Sequence, residues 1–319
     1  MMRLLVGLLT AVVLIASPAR SQEWPSGTNR VVVPFAAGGP VDFPTRLLIE
    51  RLVAQTKGVF ILENRAGAGG SVGLEAVVQS KPDGQTFLLT TSSIAMAPTM
   101  YPRLAFEPTR DLTPISLVTE VPIVIATLAD NPIKNLEDLI VRAKAAPGKI
   151  TFGSGGVGTG NHLAGELLKK IAKVDLLHVP YRGTSQSMAG LYAKDIDIIF
   201  VSGVDVMPHV KDGKVRVLAV GTPKRIAAYD GVPAVAEQFP GYVMTNWYGF
   251  FAPKDLPKPI LDRLVKEIEI ARNDPALKEK AAAAGMEMQL TGPDRLRERL
   301  DLEVPRWRQL IPEIGIKIE

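Results

Sequence analysis

Short apolar runs, most of them rich in β-branched side chains, recur along the chain, each followed by a Gly, Pro or Asp turn and then a stretch with helical spacing. The pattern predicts strands at Arg30–Pro34, Phe60–Glu63, Thr86–Thr90, Ile123–Thr127, Ile150–Gly153, Leu176–Pro180, Ile196–Val201, Arg216–Val220 and Trp247–Ala252. Helices are predicted between them at Phe43–Gln55, Val72–Gln79, Leu136–Ala146, His162–Ile171, Ser185–Tyr192 and Val206–Lys211. Such alternation builds α/β structure, with mostly parallel sheets flanked by helices on both faces. Beyond the last strand three helices are expected in succession, Pro259–Asn273, Pro275–Ala284 and Pro293–Gln309, with Asp274, Pro275 and Asp294 at their starts.

Two extended segments, Ser116–Thr127 and Val243–Ala252, have Pro114, Pro122, Pro240 and Pro253 in or beside them and separate α/β blocks. With 319 residues the chain exceeds the roughly 250 at which single cores tend to split, so two lobes are expected. If both segments cross over, residues 22–120 and 245–319 form a discontinuous domain 1 and residues 121–244 form domain 2.

The N-terminus departs from this pattern. Arg3 precedes an apolar run, Leu4–Ala16, then Pro18 and the small-x-small sequence Ala19-Arg20-Ser21. These are the parts of a secretory signal peptide covering residues 1–21, with Gln22 the expected mature start. The run is shorter than the roughly 20 residues that span a bilayer. The expected location is therefore the periplasm.

Composition narrows the chemistry. There is no cysteine, which excludes disulfides, thiolate metal sites and cysteine nucleophiles. The net charge is +4, and losing Arg3 and Arg20 with the leader leaves 35 basic against 33 acidic residues, scattered along the chain. That is no nucleic-acid signature. The Lys169-Lys170 and Lys278 to Lys280 clusters read as solvated helix faces.

The informative signals are two glycine-rich turns between a strand and a helix. Pro34-Phe35-Ala36-Ala37-Gly38-Gly39-Pro40-Val41-Asp42 is the first and Ser154-Gly155-Gly156-Val157-Gly158-Thr159-Gly160-Asn161 the second. Each is expected to offer free backbone N–H groups at the positive end of a helix dipole, where anions bind. In open α/β sheets the ligand crevice lies at the carboxyl ends of the strands, where both turns fall. An anionic small molecule held between two lobes is the reading that follows.

Other chemistry finds little support. Gly153-Ser154-Gly155-Gly156-Val157-Gly158 matches G-x-G-x-x-G, but the next strand ends in Pro180-Tyr181-Arg182 where a ribose-binding acid belongs. No phosphate-binding G-x-x-x-x-G-K-[ST] and no G-x-S-x-G elbow occurs. His162, His178 and His209 lack metal-ligand spacing. No metal, cofactor or catalytic residue is expected. His162 reads as a cap or pocket donor, and Asp205 equally as a helix N-cap or a ligand contact. Phe35, Tyr181, Trp247 and Tyr248 default to core or hinge, although Phe35 and Tyr181 lie in candidate cleft loops.

From Trp24-Pro25 to Ile311 the chain resembles the solute-binding proteins of tripartite tricarboxylate transporters, the Bug family. The resemblance rests on VVPFAAGGPVDFPTR (Val32–Arg46), ENRAGAGGSVG (Glu63–Gly73), PDGQTFLL (Pro82–Leu89), SGGVGTGNHLAGELL (Ser154–Leu168), HVPYRGTSQSMAGL (His178–Leu191) and GVPAVAEQFPGY (Gly231–Tyr242). It implies a two-lobe periplasmic-binding-protein fold of type II-like form, with two crossover strands as the hinge. It also implies a ligand carboxylate gripped by Phe35, Ala36, Gly38, Gly39, Pro40, Val41 and Asp42 from lobe 1 and by Gly158, Thr159, Asn161 and His162 from lobe 2. Ser92 and Ser93 fall at the cleft, and Tyr181, Arg182 and Asp205 where lobe 2 selects the rest of the ligand. Thr45-Arg46, where the family often has Ala-Arg, and the bulky Phe43-Pro44 are departures that bear on ligand identity.

The expected protein is a monomer that closes on a di- or tricarboxylate, an aromatic carboxylate or an acidic amino acid. It delivers the ligand to membrane permease subunits on separate polypeptides. A periplasmic sensor docking on a signalling partner and a secreted enzyme acting on organic acids are the alternatives.

Overall fold

The computed structural model describes residues 24–67, 70–101, 106–284 and 286–315. The expected leader and its cleavage point lie outside them. In chain order the strands are β1 (Thr28–Val33), β2 (Val59–Asn64), β3 (Thr86–Thr91), β4 (Leu112–Leu128), β5 (Thr151–Ser154), β6 (Leu177–Pro180), β7 (Ile198–Ser202), β8 (Val215–Val220), β9 (Thr245–Pro253) and β10 (Met288–Thr291). The helices are α1 (Asp42–Thr56), α2 (Ser71–Val78), α3 (Ser93–Met100), α4 (Pro108–Asp111), α5 (Leu136–Ala145), α6 (Gly160–Ala172), α7 (Thr184–Tyr192), α8 (Gly203–Lys211), α9 (Val235–Gln238), α10 (Lys258–Arg272), α11 (Pro275–Ala283) and α12 (Pro293–Glu313).

Two sheets share one long strand. The order β2-β1-β3-β9-β4 makes the first, with β10 on β4, and β4-β7-β5-β6 makes the second, with β8 on β4. The β1–β2, β1–β3, β5–β6 and β5–β7 pairs are parallel, whereas β4 and β9 run antiparallel to their neighbours. This is the expected mixed α/β architecture in two lobes. At 17 residues β4 is about 55 Å long. Its first part pairs with β9 from Leu112 to Pro122, and its second with β7 and β8 from Ile123 onward. The register slips between Pro114 and Ser116, where proline has no N–H to give the ladder.

Each lobe buries its own core. Trp24, Phe87, Phe250 and Leu52 lie in one cluster in lobe 1, and Val201, Leu191 and Val217 in another in lobe 2. A third cluster runs from Leu88 and Trp307 to Phe152 and Phe200. Trp24 anchors the start of the described chain by donating Nε1–H to the Gly84 carbonyl at 2.8 Å.

Two expectations are corrected. The C-terminal helices are not consecutive, because β10 stands between α11 and α12 and pairs with β4. Asp274 caps α11, accepting the Leu277 amide, and Asp294 lies in the first turn of α12, whose N-cap is Gly292. A further helix, α3, follows β3 despite Pro98 in its interior.

Candidate functional site

β1 ends in the first glycine turn and α1 leaves it. Gly38 is at φ +79°, a left-handed conformation that glycine enters without steric cost, and its amide donates to Asp42 Oδ2 at 2.7 Å. The other Asp42 oxygen accepts from Asn64 Nδ2 at 2.9 Å, and the same nitrogen reaches the Phe35 carbonyl at 3.1 Å. Asn64 closes β2, so the end of that strand braces the turn. Gly73 completes the brace, since a Cβ there would lie 2.8 Å from Pro34. Ala36, Gly38 and Pro40 stay exposed, Phe35 and Gly39 are half-buried, and Val41 and Asp42 are buried.

β5 ends in the second turn and α6 leaves it. Thr159 is the N-cap, its hydroxyl accepting the His162 amide at 3.3 Å. Gly158 also lies at φ +79°, and its amide donates to His162 Nδ1 at 3.1 Å. That bond leaves the proton of a neutral ring on Nε2. The His162 ring stacks on His178 with centroids 3.9 Å apart, and His178 Nε2 is 2.7 Å from Ser154 Oγ. Burial, then the charges of His178 and Lys169, lower His162 to about 3. Burial, then Lys169, lowers His178 to about 4. Both rings are neutral near pH 7.

The expectation that these amides are free is therefore corrected at Gly38 and Gly158, which each turn uses to hold itself together. Among the described residues, the amides of Ala36, Ala37 and Val41 in the first turn and of Val157, Gly160 and Asn161 in the second have no protein acceptor. They lie in the two turns that lead into α1 and α6, with Gly160 and Asn161 in the first turn of α6, where the helix dipole favours an anion.

Ser92 follows β3 and Ser202 is the last residue of β7, both at carboxyl ends of strands, and Asn246 of β9 joins them. Ser92 Oγ donates to Asn246 Oδ1 at 3.3 Å, while Asn246 Nδ2 donates to Ser202 Oγ at 2.9 Å and to Asn161 Oδ1 at 3.4 Å. The carboxyl ends of β3, β5 and β7 thus converge on one side chain. Ser93 stands beside this group, its hydroxyl 2.8 Å from Thr91 Oγ1. Sequence reasoning missed Asn246, Ser202 and Asn64. The one sequence cue is a polar Thr245-Asn246 pair opening an otherwise apolar crossover segment.

The remaining expected residues are less tightly tied to the turns. The Tyr181 ring lies across Gly190 of α7, where a Cβ would come within 2.1 Å of its hydroxyl. Arg182 is exposed, and its amide donates to Gln186 Oε1 at 3.2 Å. Asp205 is the third residue of α8 and makes no N-cap, so that reading is corrected. Its Oδ2 is buried without a partner among the described residues, as is the Tyr248 hydroxyl. Burial raises Asp205 to about 6. Burial and then the Asp205 charge raise the neighbouring Tyr229 and Tyr248 hydroxyls.

Among the described residues no group of three or more His, Asp or Glu side chains is arranged to hold a metal ion, and no helix is long and apolar enough to cross a membrane.

A family model described as a tripartite tricarboxylate transporter family receptor matches residues 45–316. Among solved structures, the periplasmic binding protein BugD is 32% identical, with TM-score 0.82 over 93% of this chain and 100% of that one. A protein of R. palustris with adipate is 27% identical, with TM-score 0.84 over 92% and 99% of the two chains. MatC from Rhodopseudomonas palustris with bound malate is 27% identical, with TM-score 0.80 over 90% and 100%.

Proposed function

Because the chain belongs to the tripartite tricarboxylate transporter receptor family, we propose that its own cargo is a small organic carboxylate, taken between the two glycine turns. The observation that carries this reading is the pair of matched glycine turns, each keeping several backbone amides without a protein acceptor where a helix begins. A carboxylate accepts two or more such bonds, and charge-assisted bonds are roughly twice as strong as neutral ones. Ala36, Gly39, Pro40 and Val41 line one side, and Gly158, Thr159, Asn161 and His162 the other, with Ser92 and Ser93 at the base. Gly38 and Asp42 shape the first turn and Phe35 walls it. The adipate and malate of the two R. palustris proteins are dicarboxylates, which supports the same class here. Tyr181, Arg182 and Asp205 then meet the far end of the ligand, Arg182 favouring a second carboxylate and Asp205 a donor group.

The mechanism is closure without chemistry. Lobe 1, residues 22–120 and 245–319, and lobe 2, residues 121–244, approach about the crossover strands β4 and β9. A carboxylate that bonds both turns has higher affinity for the closed form and shifts the population toward it. The closed receptor then docks on a separate membrane permease. Export with cleavage near Ser21/Gln22 places a monomer in the periplasm, the compartment named for BugD.

A thermal-shift screen of the mature chain against malate, adipate, succinate, citrate, benzoate, aspartate and glutamate tests the reading. A ligand at 100 times its Kd adds about 2.7 kcal/mol of stability. At least one acid is expected to raise the Tm with saturation and without turnover. No shift across the panel, or product formation from any acid, contradicts it.

A further inference from the structure

Serine at a helix N-cap ordinarily accepts a first-turn amide of its own helix. Ser92 precedes α3 and Ser202 precedes α8, yet neither makes a side-chain cap. Both hydroxyls are spent on Asn246 instead, at 3.3 and 2.9 Å, and the Asn246 amide also reaches Asn161 in the first turn of α6. Three helix starts, one from lobe 1 and two from lobe 2, are therefore tied to one side chain.

Its position in the sheet gives those bonds their meaning. Asn246 faces Val121 in the β4–β9 ladder, one step from the last pair, Pro122 with Thr245. The next residue of β4, Ile123, already pairs with Ser202 of β7 in lobe 2. The side chain thus sits where the crossover passes from one sheet to the other. Two close approaches flank it. A Cβ on Gly160 would lie 2.7 Å from Asn246 Oδ1, and Val204 of α8 packs against the lobe 1 core.

We propose that Asn246 is a positioning residue that links the lobe 1 and lobe 2 halves of the clamp at the hinge and so sets the resting angle from which the lobes close. An asparagine suits this task. Its amide offers two donors and an acceptor in one plane, which matches two acceptors on lobe 2 and one donor on lobe 1. An aspartate of equal size offers only acceptors and adds a negative charge facing the Asn161 oxygen. The inference rests on the receptor reading for its effect on affinity, but not for its effect on the resting angle.

The test uses the full mature chain, which carries no cysteine of its own. Spin labels on Lys81→Cys and Lys144→Cys, exposed positions in lobe 1 and lobe 2, report the inter-lobe distance. Asn246→Ala, Asn246→Asp and Gly160→Ala are compared with the parent, first without ligand and then with malate and adipate. The expected result is a broadened or shifted distance distribution in all three unliganded variants, with the unliganded Tm within a few degrees of the parent. For whichever acid the parent binds, affinity falls about tenfold in Asn246→Ala and Gly160→Ala, the weight of one to two hydrogen bonds. It falls further in Asn246→Asp. Distance distributions identical to the parent in all three variants overturn the proposal, whatever happens to affinity. A parent that binds no acid of the thermal-shift panel, together with altered distributions in the variants, counts against the receptor reading and for the hinge role of Asn246.

Discussion

Gly38 and Gly158 occupy the same left-handed backbone position, both at φ +79°, and each gives its amide to a side chain four residues on. In lobe 1 that acceptor is the Asp42 carboxylate at 2.7 Å, and in lobe 2 it is the neutral His162 ring at 3.1 Å. The two turns are built on one plan with different chemistry. Each is locked by its own helix before any ligand arrives, so the remaining amides are pre-oriented. The charges differ, however. Lobe 1 holds a carboxylate at the start of α1, with Arg46 4.0 Å away, whereas lobe 2 presents α6 with a neutral partner.

Replacing either glycine with valine tests this plan. A β-branched side chain at this dihedral costs about 1–3 kcal/mol of strain. At Gly38 that strain acts alone, because no atom lies within 4 Å of the added Cβ. Gly38→Val and Gly158→Val are each expected to stay folded by circular dichroism and to lose the thermal shift with the acid that stabilises the parent. Retention of the full shift in both places the ligand elsewhere.

Asn64 is expected to matter although it is absent from the turn it supports. Its amide holds the Phe35 carbonyl and Asp42 Oδ1. Asn64→Ala leaves both acceptors short of a donor, at a cost of about 1–3 kcal/mol. Urea unfolding should show that loss, and calorimetry a weaker carboxylate affinity than in the parent. Unchanged affinity would show that the first turn holds its shape without the brace.

The two stacked histidines predict acid sensitivity. With folded values of about 3 and about 4 against an ordinary 6.5, both rings are proton-free in the folded chain and protonated in the unfolded chain between about pH 4.5 and 6. Their contribution to stability is fully present above pH 6.5 and is lost as pH falls toward 4. Asp205 works in the opposite sense. Its folded value of about 6 exceeds the ordinary 3.8, so its contribution is present below 3.8 and lost as pH rises through 6. Two protons against one leave stability rising with pH across that window. In urea titrations at pH 4.5 to 6, Asp205→Asn should steepen the rise and His178→Gln should flatten it. Slopes equal to the parent in both variants would contradict these assignments.

Gly190 is expected to fix Tyr181. A methyl at position 190 meets the Tyr181 hydroxyl at 2.1 Å and Cζ at 2.5 Å, so the ring must swing away from α7. Gly190→Ala should cost about 1–3 kcal/mol by overpacking, read by urea unfolding, while affinity for the acid changes with the moved ring. A variant as stable as the parent would mean that the ring is not confined.

Much of the fold was legible because its signals are local. The Val31-Val32-Val33 run, the Gly-rich turns and the apolar spacing of α5 and α6 all lie within a few residues of one another. β10 escaped because its alternation, Met288-Gln289-Leu290-Thr291, runs for only four residues, too few to outweigh the helices on either side. α3 escaped because Pro98 and a serine-rich start read as a loop. The use of the Gly38 and Gly158 amides depends on side chains folding back from the next helix, which spacing alone does not reveal. Asn246 is beyond local reading, since Ser92 is 154 residues away in sequence and Asn161 is 85.

The most direct test of the account is a crystal structure of the mature chain with the acid that stabilises it most. One ligand carboxylate is expected within hydrogen-bond distance of the Ala36 or Val41 amide on one side and the Gly160 or Asn161 amide on the other, directly or through one water. An acid bound with high occupancy anywhere else, while both turns stay open to solvent, would contradict it.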